Sequence, residues 1–287
     1  MICVTGSSGT LGSEVIRQLS AGKISYRGAF FSEQKAEKAR LKGIEAVTID
    51  YNRPETLVPA FQDCEKLFLL GPNTPDQARL ELNAVEAAKA ANVRHIVKQS
   101  VMGAPAQSFS LAKVHYPVEV AVKESGIAWT FLRPNSFMQN LVTYMGETIR
   151  AEDTFYSASS TADISHVDIR DVAAVALKAL TETGHEGMAY TLTGPEAWTY
   201  DQVSEELTKV LGRRIRHMNL SPSDYKDGML AQGMPEEIAD RMLDLERYFR
   251  QGHASHITRD IEQVTGQKAR QYADYIRQTA DSGIWGE

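Results

Sequence analysis

The sequence predicts an α/β fold: a doubly wound parallel sheet with a smaller, helix-rich lobe in the C-terminal part. Three observations predict it. Short apolar runs alternate with amphipathic helical stretches at intervals of about 25 residues, the rhythm of β–α units. A glycine-rich turn follows the first apolar run directly and opens the first helical stretch. After about residue 150 the alternation gives way to mostly helical, polar text.

In order, the strand candidates are 2–5, 25–31, 46–49, 66–70, 95–99 and 129–132, separated by helical patterns at 11–19, 34–41, 54–61, 75–91, 111–124 and 136–148. The helix before Asn92 shows the pattern well, placing Leu80, Ala84, Ala87, Ala88 and Ala91 on one face. Further on, 164–167 and 190–192 read as strands, and 171–182 and 199–211 as helices, the last closed by Gly212. Residues 1–153 are expected to form a nucleotide-binding domain to which 170–194 return. Residues 154–287 are expected to make up most of the smaller lobe, with the substrate cleft between the two.

Composition narrows the function classes. A chain of 287 residues with 43% hydrophobic and 24% charged residues is globular. Its net charge of −6 and lack of any basic run argue against nucleic acid as a partner. No apolar stretch reaches the roughly 18 residues of a membrane span, and the chain begins at once with strand-like Ile2-Cys3-Val4, so a cytoplasmic protein is expected. Cys3 and Cys64 read as buried thiols and not as a disulfide. His166, His185, His217, His253 and His256 are scattered, and no metal site is expected. The Asp168–Asp171 pair reads as the cap of a helix starting near Val172.

The strongest motif is Gly6-Ser7-Ser8-Gly9-Thr10-Leu11-Gly12. In this strand–turn–helix context Gly6 permits the tight turn, Gly9 lets backbone approach a pyrophosphate, and Gly12 packs the helix closely. The N–H groups at the helix start, including that of Leu11, and the Ser8 and Thr10 hydroxyls serve as donors to phosphate. The sheet is therefore expected to be of the Rossmann type and to bind a nicotinamide dinucleotide. No acid closes strand two to hold a ribose 2′-OH; the text reads Phe31-Ser32-Glu33-Gln34-Lys35. Ser32 and Lys35 are candidates for a 2′-phosphate, which favours NADP(H), with NAD(H) possible should Glu33 face the ribose. Asp50, after strand three, either approaches the adenine edge or caps its own turn with Asn52 and Pro54. Gly71, after strand four, completes the cofactor set.

Four later segments carry a resemblance: His95–Ser100 (HIVKQS), Gly126–Asn135 (GIAWTFLRPN), Asp168–Ala173 (DIRDVA) and Tyr190–Gly194 (YTLTG). With the glycine turn, they resemble the NmrA-like branch of the atypical short-chain dehydrogenases, over most of the chain and least across 221–287. Within that branch the likeness is to bacterial quinone oxidoreductases and triphenylmethane reductases. The resemblance implies an NADPH-binding domain, a small C-terminal lobe and a cleft over the nicotinamide. Some members reduce quinones or dyes; others bind the cofactor as redox sensors without turnover. Related members often carry an arginine at the end of strand two, where this chain has Phe31.

Ordinary short-chain dehydrogenases move a proton through Tyr-x-x-x-Lys, one helical turn apart. None of the 11 tyrosines here is followed by lysine at that spacing. Leu111 and His115 stand in the two places. His115 either donates a proton or lines the pocket and touches the ribose, and Glu119, one turn on, is placed to orient its ring. Lys113 reads as a solvated helix residue. Ser100 matches the serine position of the superfamily and is the second catalytic candidate. Met102, Asn135, Phe137, Met138 and Tyr144 are candidates for an apolar substrate roof. The reading is an NAD(P)H-dependent reductase of a small aromatic, quinone-like or dye acceptor, with a non-catalytic NADP(H) sensor as the rival. An ordinary sugar epimerase or dehydrogenase ranks third, for want of the tyrosine. Whether the chain forms a homo-oligomer stays open: the apolar tail Ile284-Trp285-Gly286-Glu287 docks either on its own domain or on a second copy.

Overall fold

The structure, a computed structural model, describes residues 1–286. The chain divides into two compact units. The first comprises 1–107, 112–134 and 169–191. Its strands are β1 (Ile2–Val4), β2 (Tyr26–Phe30), β3 (Glu45–Thr48), β4 (Lys66–Leu69), β5 (His95–Gln99), β6 (Ala128–Pro134) and, beyond β7 of the second unit, β8 (Met188–Leu192). They form one seven-stranded parallel sheet in the order β3-β2-β1-β4-β5-β6-β8. The order reverses beside β1, as in doubly wound dinucleotide folds. The helices are α1 (Thr10–Ala21), α2 (Glu33–Arg40), α3 (Leu57–Phe61), α4 (Gln77–Ala90), α5 (Ser110–Glu124), whose first residues belong to the other unit, and, after α6 of the second unit, α7 (Ile169–Thr181).

The expected α4 face is the one buried: Leu80, Ala84, Ala87, Ala88 and Ala91 join Cys3, Leu67, Leu69 and Ile96 in one core. Both cysteines are free and buried. Helix α7 begins at Ile169, three residues before the expected start, and Asp168 accepts a hydrogen bond from the Gln139 amide at 3.1 Å.

The second unit comprises 108–111, 135–168 and the chain from 192 onward. The boundary thus falls after Pro134 and not at 153. The reason is local: Asn135 N–H donates to the Leu192 carbonyl, Met138 N–H to Val167, and Val167 N–H to Ser136. These bonds carry α6 (Asn140–Glu152) into this unit. Two short strands, β7 (Thr154–Ser157) and β9 (Arg216–Asn219), pair in parallel. Neither is read from the sequence: β9 is Arg-His-Met-Asn with no apolar alternation, and β7, although its Thr-Phe-Tyr-Ser suits a strand, is only four residues long. Residues 164–167 make only isolated bridges, Ile164 to Trp198 and Val167 to Phe137, and not a strand. Helix α8 (Tyr200–Leu211) has the capping box of Thr199 with Gln202 and ends on Gly212 at φ 65°. Four more helices follow: α9 (Pro222–Ala231), α10 (Glu236–Arg250), α11 (Asp260–Thr265) and α12 (Tyr272–Asp281). The tail packs on its own unit, with Trp285 buried, its Nε1 donating to Thr279 Oγ1 at 3.0 Å and its carbonyl accepting from Arg213 at 2.8 Å; Glu287 lies outside the described residues. No described helix is long and apolar enough to cross a membrane.

Candidate active site

The glycine turn sits where β1 runs into α1. Gly6 adopts φ +63°, and a Cβ there would stand 2.9 Å from Leu70 Cγ. At Gly12 a Cβ would meet the Gly6 carbonyl oxygen at 2.2 Å, so this glycine closes the turn on itself. Gly9 differs: its φ of −81° suits any residue, and a Cβ would find only the Gly6 oxygen at 3.3 Å. Space at Gly9 is thus kept for something other than the fold. Gly9 caps α1, and the first intrahelical bond runs from Ser13 N–H to the Gly9 carbonyl at 2.9 Å. The N–H groups of Thr10, Leu11 and Gly12 are therefore the orphan donors of a helix start, with its positive dipole end behind them.

The turn forms one wall of a groove of about 500 Å³. Gly6, Ser8, Gly9, Phe31, Asp50 and Gly71 all line it, with Asn52, Asn73 and Thr74. The end of β4 beside the turn is held in place: Thr5 Oγ1 bridges β1 and β4 by donating to the Phe68 carbonyl and accepting from Leu70 N–H, while Tyr51 Oη donates to the Leu70 carbonyl at 3.0 Å. A Cβ at Gly71 would lie 2.5 Å from Glu81 Cγ, so this position too has room only for glycine. Phe31 is 73% exposed at the rim. Asp50 is held by one oxygen, Oδ1, which accepts from Asn52 N–H at 2.9 Å; the turn-capping role and a place on the groove wall coexist.

The residues after β2 are largely committed elsewhere. Ser32 caps α2, its hydroxyl accepting from Lys35 N–H. Glu33 binds Arg40 and the Thr48 hydroxyl, which hold its carboxyl below the usual range. It is therefore not free to read a ribose. Lys35 is exposed, and neither it nor Ser32 lines the groove.

The candidate catalytic residues sit in a buried charged cluster of the first unit. His115, on α5, is 5% exposed, and burial together with the neighbouring Lys98 ammonium pushes its pKa well below the ordinary value. Its ring partner is Lys98, at 3.3 Å from Nδ1, and not Glu119 as the helical spacing suggested. Glu119 is instead fully buried and taken by two other groups: Ser100 Oγ donates to it at 2.6 Å, and Arg133 binds it with two nitrogens at 2.9 and 2.6 Å. Ser100, with no exposure, has its hydroxyl proton committed there. Lys98 itself pairs with Glu81 at 2.5 Å, both side chains having zero exposure. Sequence reasoning missed this pair, although two signals were present. A lysine interrupts the apolar run of β5, and Glu81 falls on the buried face of α4 beside Leu80 and Ala84.

The expected substrate roof divides. Met102, in the first unit, is buried, and its N–H bonds the Pro134 carbonyl. In the second unit Asn135 is spent on structure, donating to Ser165 Oγ and the Ala254 carbonyl at 2.8 Å each and accepting from Ser136 N–H. Met138 has no exposure and is core, Phe137 is half-buried, and Tyr144 is 63% exposed. The Asn135 amide is thus satisfied within its own unit and the Met138 thioether is closed in. Lys113 is exposed. Four histidines outside the cluster serve the fold: His95 binds Thr130, His166 the Ile164 carbonyl, His185 Tyr190, and His217 both Ser157 and Asp201, while His253 packs its ring near Tyr248. Among the described residues no group of three metal-ligating side chains comes together.

Comparison with known proteins agrees with this geometry. The NAD(P)H azoreductase of Xenophilus azovorans is 35% identical over 278 residues, 96% of this chain and 97% of its own. Quinone oxidoreductase 2 of Escherichia coli K12 is 32% identical over 85% of this chain and 86% of its own. A crystal structure of the NADPH-dependent quinone oxidoreductase of Escherichia coli with NADPH superposes with a TM-score of 0.89 at 29% identity, covering 97% and 99% of the two chains. That of the Citrobacter sp. triphenylmethane reductase with NADP(H) gives 0.86 at 28%, covering 96% and 99%. The NmrA-like family model matches residues 1–278, and the chain belongs to the NmrA-like family.

Proposed function

We propose that this protein reduces flat, conjugated acceptors of the quinone or dye type with NADPH, and uses NADH less well. It is an NAD(P)H-dependent reductase of its family. The residues present fit the cofactor: the Gly6–Gly12 turn offers backbone donors for a pyrophosphate, Gly9 leaves them open, Phe31 offers an aromatic face and Asp50 a free carboxylate oxygen. When bound, NADPH supplies the hydride.

The observation that carries the acceptor class is the state of the relay positions. Leu111 cannot shuttle a proton, and His115 is buried with its pKa held low, so neither is a proton source at neutral pH. A quinone that gains hydride becomes a stabilised anion that takes its proton from water; a simple ketone would become an alkoxide that needs an acid at hand. The site's task is then to bind, align and exclude water, with His115 as a hydrogen-bond donor. The preference for NADPH rests on Glu33 being tied to Arg40 and Thr48, which leaves no acid to hold a ribose diol, and on the free charge of Lys35.

The experiment is NADPH oxidation by the purified protein against quinones, azo and triphenylmethane dyes, and saturated ketones. Turnover confined to the conjugated acceptors is expected. NADPH binding without oxidation by any of them would return the chain to the role of a cofactor-sensing protein.

A further inference from the structure

We infer that Lys98 is a positioning residue that fixes the tautomer of His115, so that the ring stays neutral and presents Nε2–H as a donor. The inference deepens the proposed function, since it rests on His115 facing the bound ligands.

A lysine with zero exposure is rare unless every proton on it is placed. Lys98 has three N–H groups and no lone pair, and the structure gives it three acceptors: Glu81 Oε2 at 2.5 Å, the Gln99 carbonyl at 2.9 Å and His115 Nδ1 at 3.3 Å. An ammonium only donates, so Nδ1 must offer its lone pair, and the one ring proton sits on Nε2. An imidazolium would set N–H against N–H, charge against like charge. Nε2 makes no hydrogen bond to any described residue. The other charged groups of the cluster do not reverse this. Glu81 is spent on Lys98, Glu119 is neutralised by Arg133 and Ser100, and burial adds to the Lys98 charge in disfavouring a second proton on the ring.

The same lysine ties the ring to the groove. Glu81 Oε1 accepts from Gly71 N–H at 2.9 Å and from the Gln77 amide at 3.2 Å. Gly71 is a groove wall residue. A chain of direct contacts therefore runs from the wall through Glu81 and Lys98 to the imidazole. A purely structural role, a charged staple between α4 and β5, would hold the elements together but leave the ring's tautomer untouched.

The test is the nitrogen spectrum of the full-length protein labelled with [15N]histidine, its seven histidines sorted with His115→Asn. We expect His115 to show an unprotonated Nδ1 and a protonated Nε2, unchanged between about pH 5 and 8. The double variant Glu81→Gln/Lys98→Met removes both charges while the Gln oxygen still accepts from Gly71. There, with no donor left at Nδ1, the ring stays buried but its proton should no longer be confined to Nε2. A protonated Nδ1 should appear in the spectrum, and kcat with a quinone should fall about three- to tenfold while KM for NADPH moves less than about twofold. A ring that titrates in the wild type, or that carries its proton on Nδ1, overturns the inference without any variant. A double variant that folds and leaves spectrum and rate unchanged overturns it as well. The wild-type spectrum needs no substrate, so a protein inactive toward every acceptor would refute the proposed function and still answer for Lys98.

Discussion

The glycine turn and the charged cluster beneath β5 solve opposite problems within one compact unit. The turn binds with backbone alone: its donors are N–H groups, its selectivity is empty space, and no charged side chain takes part. The cluster holds two ion pairs, Lys98 with Glu81 and Arg133 with Glu119, the first in contact with His115, and buries all but Arg133 almost completely. The difference teaches where each kind of damage will show. Filling space at the turn strikes ligand affinity, whereas removing one charge from the cluster strikes the fold first, because its partner is left uncompensated in the core.

The sharpest way to break that contrast is Lys98→Met, which strands the Glu81 carboxylate. It should cost about 3–5 kcal/mol of stability, read from urea unfolding. A loss under about 1 kcal/mol would mean that water reaches the pair and that the cluster is not the rigid block described.

Next comes the contrast within the turn. Gly9→Val should leave the unfolding midpoint nearly unchanged and weaken NADPH about a hundredfold in calorimetric titration, near 2.7 kcal/mol. Gly12→Val should lower stability as well, since its Cβ has the Gly6 oxygen at 2.2 Å. Equal behaviour of the two variants would erase the distinction between a ligand-facing and a fold-closing glycine.

These two regions also explain what the sequence made legible. The turn is contiguous, so seven residues between a strand and a helix carry the whole argument; Gly6 has the positive φ, Gly12 the close contact and Gly9 the open space. The cluster is assembled from α4, β5, α5 and β6, and helical spacing could only pair His115 with Glu119. The structure gives Glu119 to Ser100 and Arg133, because a strand residue reaches into a helix face in a way no one-dimensional period records. Likewise Asn135 and Met138 lie in a stretch whose composition suits a pocket wall or a core equally; the sequence shows neither the Asn135 bonds to Ser165 and Ala254 nor the full burial of Met138. The alternating sheet was readable; β7 and β9 were not, since four residues each, Thr-Phe-Tyr-Ser and Arg-His-Met-Asn, are too short for a period to be counted.

A smaller effect comes from His115→Asn. With NADPH and a good quinone, the rate should fall less than about tenfold, where loss of a general acid costs about a hundredfold or more. The same variant tests the burial of the ring through stability. The folded protein keeps His115 neutral, with its pKa lowered chiefly by burial, while the unfolded chain protonates it near 6.5. The unfolded state thus binds the extra proton, and this residue's contribution is full above about pH 6.5 and is lost as the pH falls below it. Wild type should therefore lose about 1.4 kcal/mol more per pH unit than the variant on that acidic side. Parallel curves would show the ring protonating in place.

The smallest effect is expected at the edge of the groove, where the cofactor's 2′-phosphate would be told from a hydroxyl. Here neither device of the molecule is in play: there is no glycine turn to shape the space and no buried charge to fix a partner. Ser32 spends its hydroxyl on the α2 cap and Glu33 its carboxylate on Arg40 and Thr48, which leaves Lys35 as the free cation of this stretch. An exposed ammonium on a flexible stem gains little from a phosphate and loses much of that to salt. NADPH should bind about two- to fivefold more tightly than NADH at low ionic strength. Lys35→Ala should bring the two dissociation constants together by weakening NADPH alone, and moderate salt should do the same to the wild type. A preference that survives both would place the discriminating contact elsewhere on the groove wall. Tighter binding of NADH by the wild type would mean that Glu33 leaves Arg40 to take the ribose, and that the loop after β2 rearranges when the cofactor arrives.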